Sequence, residues 1–582
     1  MRIQLLMLLI ILAAASLLAQ GEHAVNEELA VRAEMRDGVS LVADVYRPDV
    51  AGELPVLLQR TPYDRKTSAS QARELASHGY IVVVQDTRGR YDSEGEFYPF
   101  LYERDDGFDT VEWAAALAGS NGKVGMYGGS YVGATQMLAA ISEPPHLVAI
   151  FPYITSAEYY EGWTYQGGAL MQWFAGTWTS GLAQDTLRRE VSDSSRTRDW
   201  MLRMPVDSYP ILDVPSMDET APYFDDWIEH ETDDAYWQRW KISDHYGALS
   251  IKALHGGGWH DIFLEGSIGN YIGMSQSAET AEARAAQRLW IGPWAHAATS
   301  PEGKVGDVVF GKAAASNMTE TIRAWSDYSL KDVANEFATG GPVRIFVMGD
   351  NVWRQEQEFP LARAVETSYY LSSSNGANGL RGDGRLRLDA PASEKPDTFV
   401  YDPGNPVPTI GGRLCCGNDV IAPGPYDQRP NEGRDDVLVF SSAPLDNDVE
   451  VTGFITVVLY ASTTAVDTDF TAMLVDVEPT GYARFLTDGI LRARYRESTK
   501  EATPIVPGEI YRYEIDLWAT SNVFKAGHRI RVYVSSSNFP RFNRNPNTGA
   551  PISGSQGMVK ATQTIYHDAA HPSALVVPLV PK

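Results

Sequence analysis

Five short runs of apolar, β-forming residues constrain this chain most: Pro55–Gln59, Ile81–Gln85, Lys123–Tyr127, Ile251–Leu254 and Arg288–Ile291. None alternates cleanly between apolar and polar, which is the pattern of strands covered on both faces. Helical patterns fall between them. Ser68–His78 is one and Phe108–Ala118 another, with Asp105, Asp106 and Asp109 near the end where the helix dipole favours negative charge. Strands alternating with helices predict an α/β domain built on a mostly parallel sheet. From about Tyr159 to Tyr246 the alternation stops, and Trp, Tyr, Met and acidic residues dominate, as in a helical insertion. After about Val365 the texture is all-β. Val451–Tyr460, Phe470–Val477, Glu509–Leu517 and Ile530–Ser536 read as strands separated by Gly, Pro and Asn, in the manner of a jelly-roll sandwich.

Acidic side chains outnumber basic ones by 75 to 49, a net charge of −26 over 582 residues. Such a surface repels phosphate, which argues against nucleic acid and anionic membranes as partners. Cys415 and Cys416 are the only cysteines and are adjacent. They cannot build a disulfide framework, and no Cys/His cluster suggests zinc. They either form a vicinal disulfide or stay buried and inert. Met1 and Arg2 precede an apolar run from Ile3 to Leu18, and charge returns at Glu22. The run is short for a membrane span and reads as a secretory leader cleaved after Ala19, giving a periplasmic or secreted protein. The expected organisation is a leader over 1–19, a first core segment over 24–158, a helical cap over 159–246, a second core segment over 247–362 and a jelly roll over 363–582.

Chemistry enters at Gly128-Gly129-Ser130-Tyr131-Val132-Gly133, where a buried strand runs into glycines, a serine and then a helix. A serine on a sharp strand-to-helix turn is a nucleophile elbow, although glycine here falls three rather than two places after the serine. An ordinary glycine turn capped by Ser130 fits the bare pattern equally well. A nucleophilic hydroxyl needs a base, and the base an orienting acid. Downstream, one strand ends in His255-Gly256-Gly257-Gly258-Trp259-His260-Asp261 and the next in Gly292-Pro293-Trp294-Ala295-His296. Open α/β sheets place ligands past such carboxyl ends. Asp261 is the candidate acid and His296 the candidate base. His255 and His260 compete, but the first lies in the strand end and the second precedes the acid. The oxyanion donors are the Tyr131 amide and, since the loop after Gln59 has no glycine run, the phenol of Tyr63; Tyr63 also fits as a packing residue.

With these pieces in order, the chain resembles the CocE/NonD hydrolases, the group of cocaine esterase, α-amino acid ester hydrolases and Xaa-Pro dipeptidyl peptidases. The matching segments are Thr61-Pro62-Tyr63, Asp86 to Gly95, Gly128 to Gly133, Gly257 to Asp261, Gly292 to His296, and Tyr401-Asp402-Pro403 through Gly412. The resemblance implies an α/β-hydrolase core with an inserted helical cap and a C-terminal jelly roll. It implies Ser130 as nucleophile, His296 as base, Asp261 as orienting acid, and Tyr63 with the Tyr131 amide as oxyanion hole. No cofactor or metal is called for.

The family divides by acyl group. Its α-amino acid ester hydrolases carry acids just after the catalytic Asp, whereas Asp261 is followed by Ile262, Phe263 and Leu264. A buried ammonium there would lack a partner. A neutral or aromatic acyl group is therefore expected, on a small-molecule ester or amide. Trp163, Trp259 and Phe263 are candidate substrate contacts, and Glu158, with Glu161, is the alternative that would admit an amino group. The cap aromatics fit a pocket or a helix core equally. The charged segment Asp86–Gly95 reads as a structural loop in which Arg88 or Arg90 pairs with Asp86 or Asp92. The alternatives are an α-amino acid ester hydrolase or acyltransferase, a dipeptidyl peptidase, and, from another class, an inactive hydrolase that binds a glycan or polymer. The reading admits a homo-oligomer.

Overall fold

The structure, a computed structural model, describes residues 23–192, 220–296, 300–418, 420–554 and 557–581, with side chains omitted at 188–192. The expected leader over 1–19 and residues 193–219 of the expected cap lie outside the described residues.

The described residues form two compact units. The first takes those up to Pro152, with Ala248–Ala253 and Asn317–Thr339. Its strands are β1 (Val25–Glu34), β2 (Ser40–Pro48), β3 (Leu54–Thr61), β4 (Ile81–Asp86), β5 (Ser120–Gly129) and β6 (Leu147–Tyr153), in the order β1-β2-β4-β3-β5-β6. β3 pairs in parallel with both β4 and β5. β1 and β2 add an antiparallel edge. All six residues of β4 are buried, and each such Val or Ile contributes roughly 1.5–3 kcal/mol. Its longer helices are Ala69–Ser77, Glu103–Ala115, Tyr131–Ala140 and Met318–Leu330.

The second unit takes Tyr153–Gly247, Leu254–Ser316 and the described residues from Gly340 onward. It holds most of β7 (Lys252–His260), then β8 (Gln287–Ala295), β9 (Val343–Val347) and β10 (Val352–Glu356), in that order. β8 and β9 are parallel and β10 is an antiparallel edge. β7 runs on to His260 instead of ending at Leu254, because three glycines let its neighbours close in. A Cβ on Gly257 would lie 2.8 Å from Ile291 Cδ1, and one on Gly258 2.3 Å from the Trp294 carbonyl oxygen. The expected cap region is mainly helical, with Gln172–Ser192, Tyr223–Glu229 and Ala235–Gln238, plus a two-residue ladder between Tyr165–Gln166 and Ala169–Leu170.

The C-terminal region is an all-β jelly-roll domain, its longest strands Val449–Thr463 and Tyr511–Phe524 paired antiparallel. Its core is continuous with that of β7–β9. Trp259, Ile291 and Ile345 bury together with Val457, Leu474, Leu517 and Val532. The fold is thus an α/β-hydrolase core with a helical insertion and a C-terminal β-domain.

Candidate active site

The first unit presents a serine under backbone strain. Ser130 has φ 61° and ψ −130°, a region that costs a non-glycine residue on the order of 1–3 kcal/mol. It sits directly before the helix Tyr131–Ala140. Its carbonyl accepts from the Gly133 and Ala134 amides at 2.8 and 3.0 Å, but its hydroxyl does not cap the helix. Gly128, at φ 139°, explains the shifted glycine pattern. A Cβ there would lie 2.2 Å from Val132 Cγ1, so the valine occupies space that the glycine vacates. Gln136, fully buried, ties the turn down: its Nε2 donates to the Gly128 carbonyl at 2.9 Å and its Oε1 accepts from the Phe151 amide at 3.0 Å.

The residue after the serine is anchored from behind. The Tyr131 hydroxyl donates to Glu103 Oε1 at 2.9 Å and accepts from the Phe100 amide at 2.9 Å. Glu103 in turn pairs with Arg60 at 2.6 Å, both nearly without exposure. Burial raises the Glu103 pKa, opposed by the attraction of Arg60.

Tyr63 is half-buried on a pinned loop, its amide donating to Thr61 Oγ1 at 3.1 Å. The charged segment that follows β4 does the pinning. The Arg90 Nε donates to the Pro62 carbonyl at 2.8 Å. Asp86 accepts from the Arg65 amide at 2.8 Å and from its guanidinium at 2.5 Å, and Asp44 accepts from Arg65 Nε at 2.9 Å. Of the pairings expected within Asp86–Gly95, that of Arg88 with Asp86 or Asp92 is not formed. Arg88 bonds Asp106 at 2.6 Å and Asp37 at 2.8 Å, while Asp86 and Asp92 both serve Arg65.

The second unit presents an acid–base pair. Asp261 follows β7 and is fully buried; its Oδ2 lies 2.8 Å from His296 Nδ1, just past β8. Asp261 Oδ1 accepts from the Phe263 amide at 2.7 Å, which fixes the carboxylate. Burial pulls the His296 pKa down, but the Asp261 charge and hydrogen bond outweigh it, and the net shift is upward. The competing histidines are both fully buried, and burial drives His255 down to about 4 and His260 to about 3.

The Phe263 ring meets His296 edge-on at 5.2 Å, and Trp163 stacks on Phe263 at 4.3 Å. The expected roles of the aromatic candidates are corrected here. Trp163, Trp259 and Phe263 have no exposed surface, so none of them offers an open face to a substrate. Trp259 is a core residue whose Nε1 donates to the Phe346 carbonyl at 2.7 Å. Trp163 and Phe263 instead back the histidine. Glu158 is likewise engaged, with Lys241 at 3.3 Å and the Ser243 hydroxyl at 2.7 Å. Two acids not weighed as a pair stand out nearby. Burial raises the Glu161 pKa well above its ordinary value and pushes Glu265 up to about 8; the charge of Glu265 adds to the rise at Glu161, and that of Glu158 adds to both. Among the described residues no group of His, Cys, Asp and Glu could hold a metal, and no helix is long and apolar enough to cross a membrane.

Residues 37–298 match the X-Pro dipeptidyl-peptidase (S15 family), and residues 335–576 the X-Pro dipeptidyl-peptidase C-terminal non-catalytic domain. The chain is 39% identical to a cocaine esterase of Rhodococcus sp. (strain MB1 Bresler), over 97% of this chain and 100% of that one. Its fold is similar to that of an aminopeptidase from a marine sediment archaeon, Thaumarchaeota archaeon, with TM-score 0.79 and 25% identity over 97% of each chain. It is also similar to an α-amino acid ester hydrolase, with TM-score 0.77 and 25% identity over 96% of this chain and 97% of that one. With a full-length relative at this identity, the chain belongs to the CocE/NonD family of serine hydrolases.

Proposed function

We propose that the chain hydrolyses carboxylic esters with a neutral or aromatic acyl group, through an acyl-enzyme on Ser130. The observation that carries this reading is the 2.8 Å Asp261–His296 hydrogen bond, with the imidazole held by a buried carboxylate. The strained turn at Ser130 supplies the matching nucleophile. In the reaction, His296 Nε2 removes the Ser130 proton as Oγ attacks the ester carbonyl. The tetrahedral oxyanion is met by the Tyr131 amide and the Tyr63 hydroxyl. His296 then protonates the leaving alcohol. A water, deprotonated by the same imidazole, attacks the acyl-enzyme and releases the acid.

One observation supports a neutral acyl group: Glu158 is already paired with Lys241 at 3.3 Å. A second reading, an α-amino acyl ester, is favoured by Glu161 and Glu265, two deep carboxyls near one another that an ammonium would ionise. We further propose export from the cytoplasm, supported by the apolar run Ile3–Leu18 behind Arg2. The substrate test is kcat/KM on a neutral aromatic ester, a phenylglycine methyl ester and an Ala-Pro anilide, with Ser130→Ala as blank. The neutral ester should lead by tenfold or more, ~1.4 kcal/mol of transition-state binding. A lead by either amino-bearing substrate overturns the neutral-acyl reading and moves the assignment to Glu161 and Glu265.

A further inference from the structure

The vicinal cysteines of the second unit are built into the surroundings of the catalytic base. They lie in the Pro- and Gly-rich loop that follows Tyr401. In extended backbone, neighbouring side chains point to opposite faces. Cys416 instead takes φ 58°, in the left-handed region, and the two sulfurs approach to 2.8 Å. The pair is asymmetric: Cys415 is buried and Cys416 exposed. The helix Gln172–Ser192 holds Cys416 in place, since Trp173 Nε1 donates to its carbonyl at 3.2 Å and the Thr177 hydroxyl hydrogen-bonds its sulfur. His296 lies within electrostatic reach of the Cys416 sulfur, and Asp261 within reach of Cys415.

These surroundings divide the labour between the sulfurs. The Cys415 hydrogen bond, against the cost of burial and with help from His296 and Thr177, lowers the Cys416 pKa to about 7. The Cys415 thiol is raised well above its ordinary value, first by donating to Cys416 and then by burial. An exposed thiolate near neutral pH is a nucleophile, and a neighbouring thiol is its resolving partner.

We propose that Cys416 is a covalent modification site for small disulfides and soft electrophiles, that Cys415 resolves its mixed disulfide into a vicinal Cys415–Cys416 bond, and that modification slows the hydrolase through His296. The Cys416 thiolate attacks one sulfur of a low-molecular-weight disulfide RSSR, forming Cys416–S–S–R and expelling RS⁻, which takes a proton from water. Cys415 loses its proton to solvent and attacks Cys416 Sγ, expelling the second RS⁻. The dithiol is oxidised by two electrons and RSSR is reduced to two RSH. Either product removes the negative charge of Cys416 that His296 feels besides that of Asp261.

The test uses the reduced full-length protein. Oxidised glutathione should yield a protein 2 Da lighter with the bond in the peptide that carries both cysteines. Cys415→Ser should instead retain a glutathione adduct on Cys416, and Cys416→Ser should form neither product. Iodoacetamide at pH 7 should alkylate Cys416 at least tenfold faster than Cys415 and lower esterase activity at least fivefold in the wild type but not in Cys416→Ser. Fluorophosphonate labelling of Ser130 in each variant reports an intact site independently of turnover on any ester. The proposal is overturned if Cys416 reacts no faster than Cys415, if Cys415→Ser labels at Ser130 but takes up no glutathione, or if complete alkylation of Cys416 leaves esterase activity unchanged.

Discussion

The two compact units hold their reactive groups by opposite means. In the first, the backbone does the positioning: Ser130 is strained, Gly128 gives up its volume to Val132, and Gln136 ties the turn. Behind the turn stands the buried Arg60–Glu103 pair, and behind the Tyr63 loop stands Arg65 with Asp44 and Asp86. In the second, packing and one hydrogen bond do it: Asp261 fixes His296 from one side and Phe263, backed by Trp163, closes another. A serine needs a position, which a rigid turn supplies. A base must gain and lose charge, and a wall of aromatic rings beside one carboxylate lets it do so without rearranging fixed ions.

The contrast can be broken at either end, and the largest effect belongs to the first unit. Ser130→Ala should lower kcat by up to ~10⁶-fold in steady-state ester hydrolysis while leaving the fold intact, because the groups of a triad act as one; a near-normal rate would remove Ser130 from the mechanism. Next, Asp261→Asn should lower kcat by about 10⁴-fold by holding the wrong imidazole tautomer, with little change in the circular dichroism of the protein. Since His296 is shifted upward, activity in the unaltered enzyme needs the neutral ring and should fall as pH drops through a value above the ordinary 6.5. A kcat/KM profile flat down to pH 4 would contradict this.

A smaller effect separates placement from chemistry within the first unit. Tyr63→Phe should cost on the order of 10²–10³ in kcat through one lost oxyanion donor, with KM little changed. A loss under ~3-fold would return Tyr63 to packing. The smallest effect on rate belongs to the jelly roll of the second unit. His567 in the jelly roll is buried between Glu394 at 3.0 Å and Asp397 at 3.1 Å. Burial lowers its pKa, but the two acids raise it further, so the folded value lies above the unfolded one. That stabilisation is full below the unfolded pKa and is lost as pH rises through the folded one. His567→Ala should destabilise by about 3–5 kcal/mol at low pH, measured by urea unfolding, and by less above neutrality. Equal losses at pH 5 and pH 9 would show that the ring acts by packing alone.

The motifs bearing Ser130, Asp261 and His296 were legible because each stands where a strand stops and the spacing is local. What could not be read were pairings that the fold makes over long separations. Arg88 finds Asp37 and Asp106, and Arg65 gathers Asp44, Asp86 and Asp92, so the nearest charges in sequence are not the partners in space. Trp259 was misread for another reason. Expected as a substrate contact past a strand end, it lies inside β7, because the three glycines before it let Ile291 and Trp294 approach, and the ring is carried into the core. Cys416 was visible only as half of a pair, since nothing in the sequence links it to a histidine 120 positions earlier.

The enclosed ion pairs behind the Tyr63 loop bear on how this protein meets brine. Its net charge of −26 sets the surface against itself, and dissolved ions relax that repulsion. The same ions weaken exposed bridges, because the screening length falls to roughly 3 Å at 1 M salt. Arg65, only 2% exposed and clasped by Asp44 and Asp86, lies beyond their reach. High ionic strength therefore quiets the acidic exterior while leaving the loop that carries Tyr63 held as firmly as in dilute buffer.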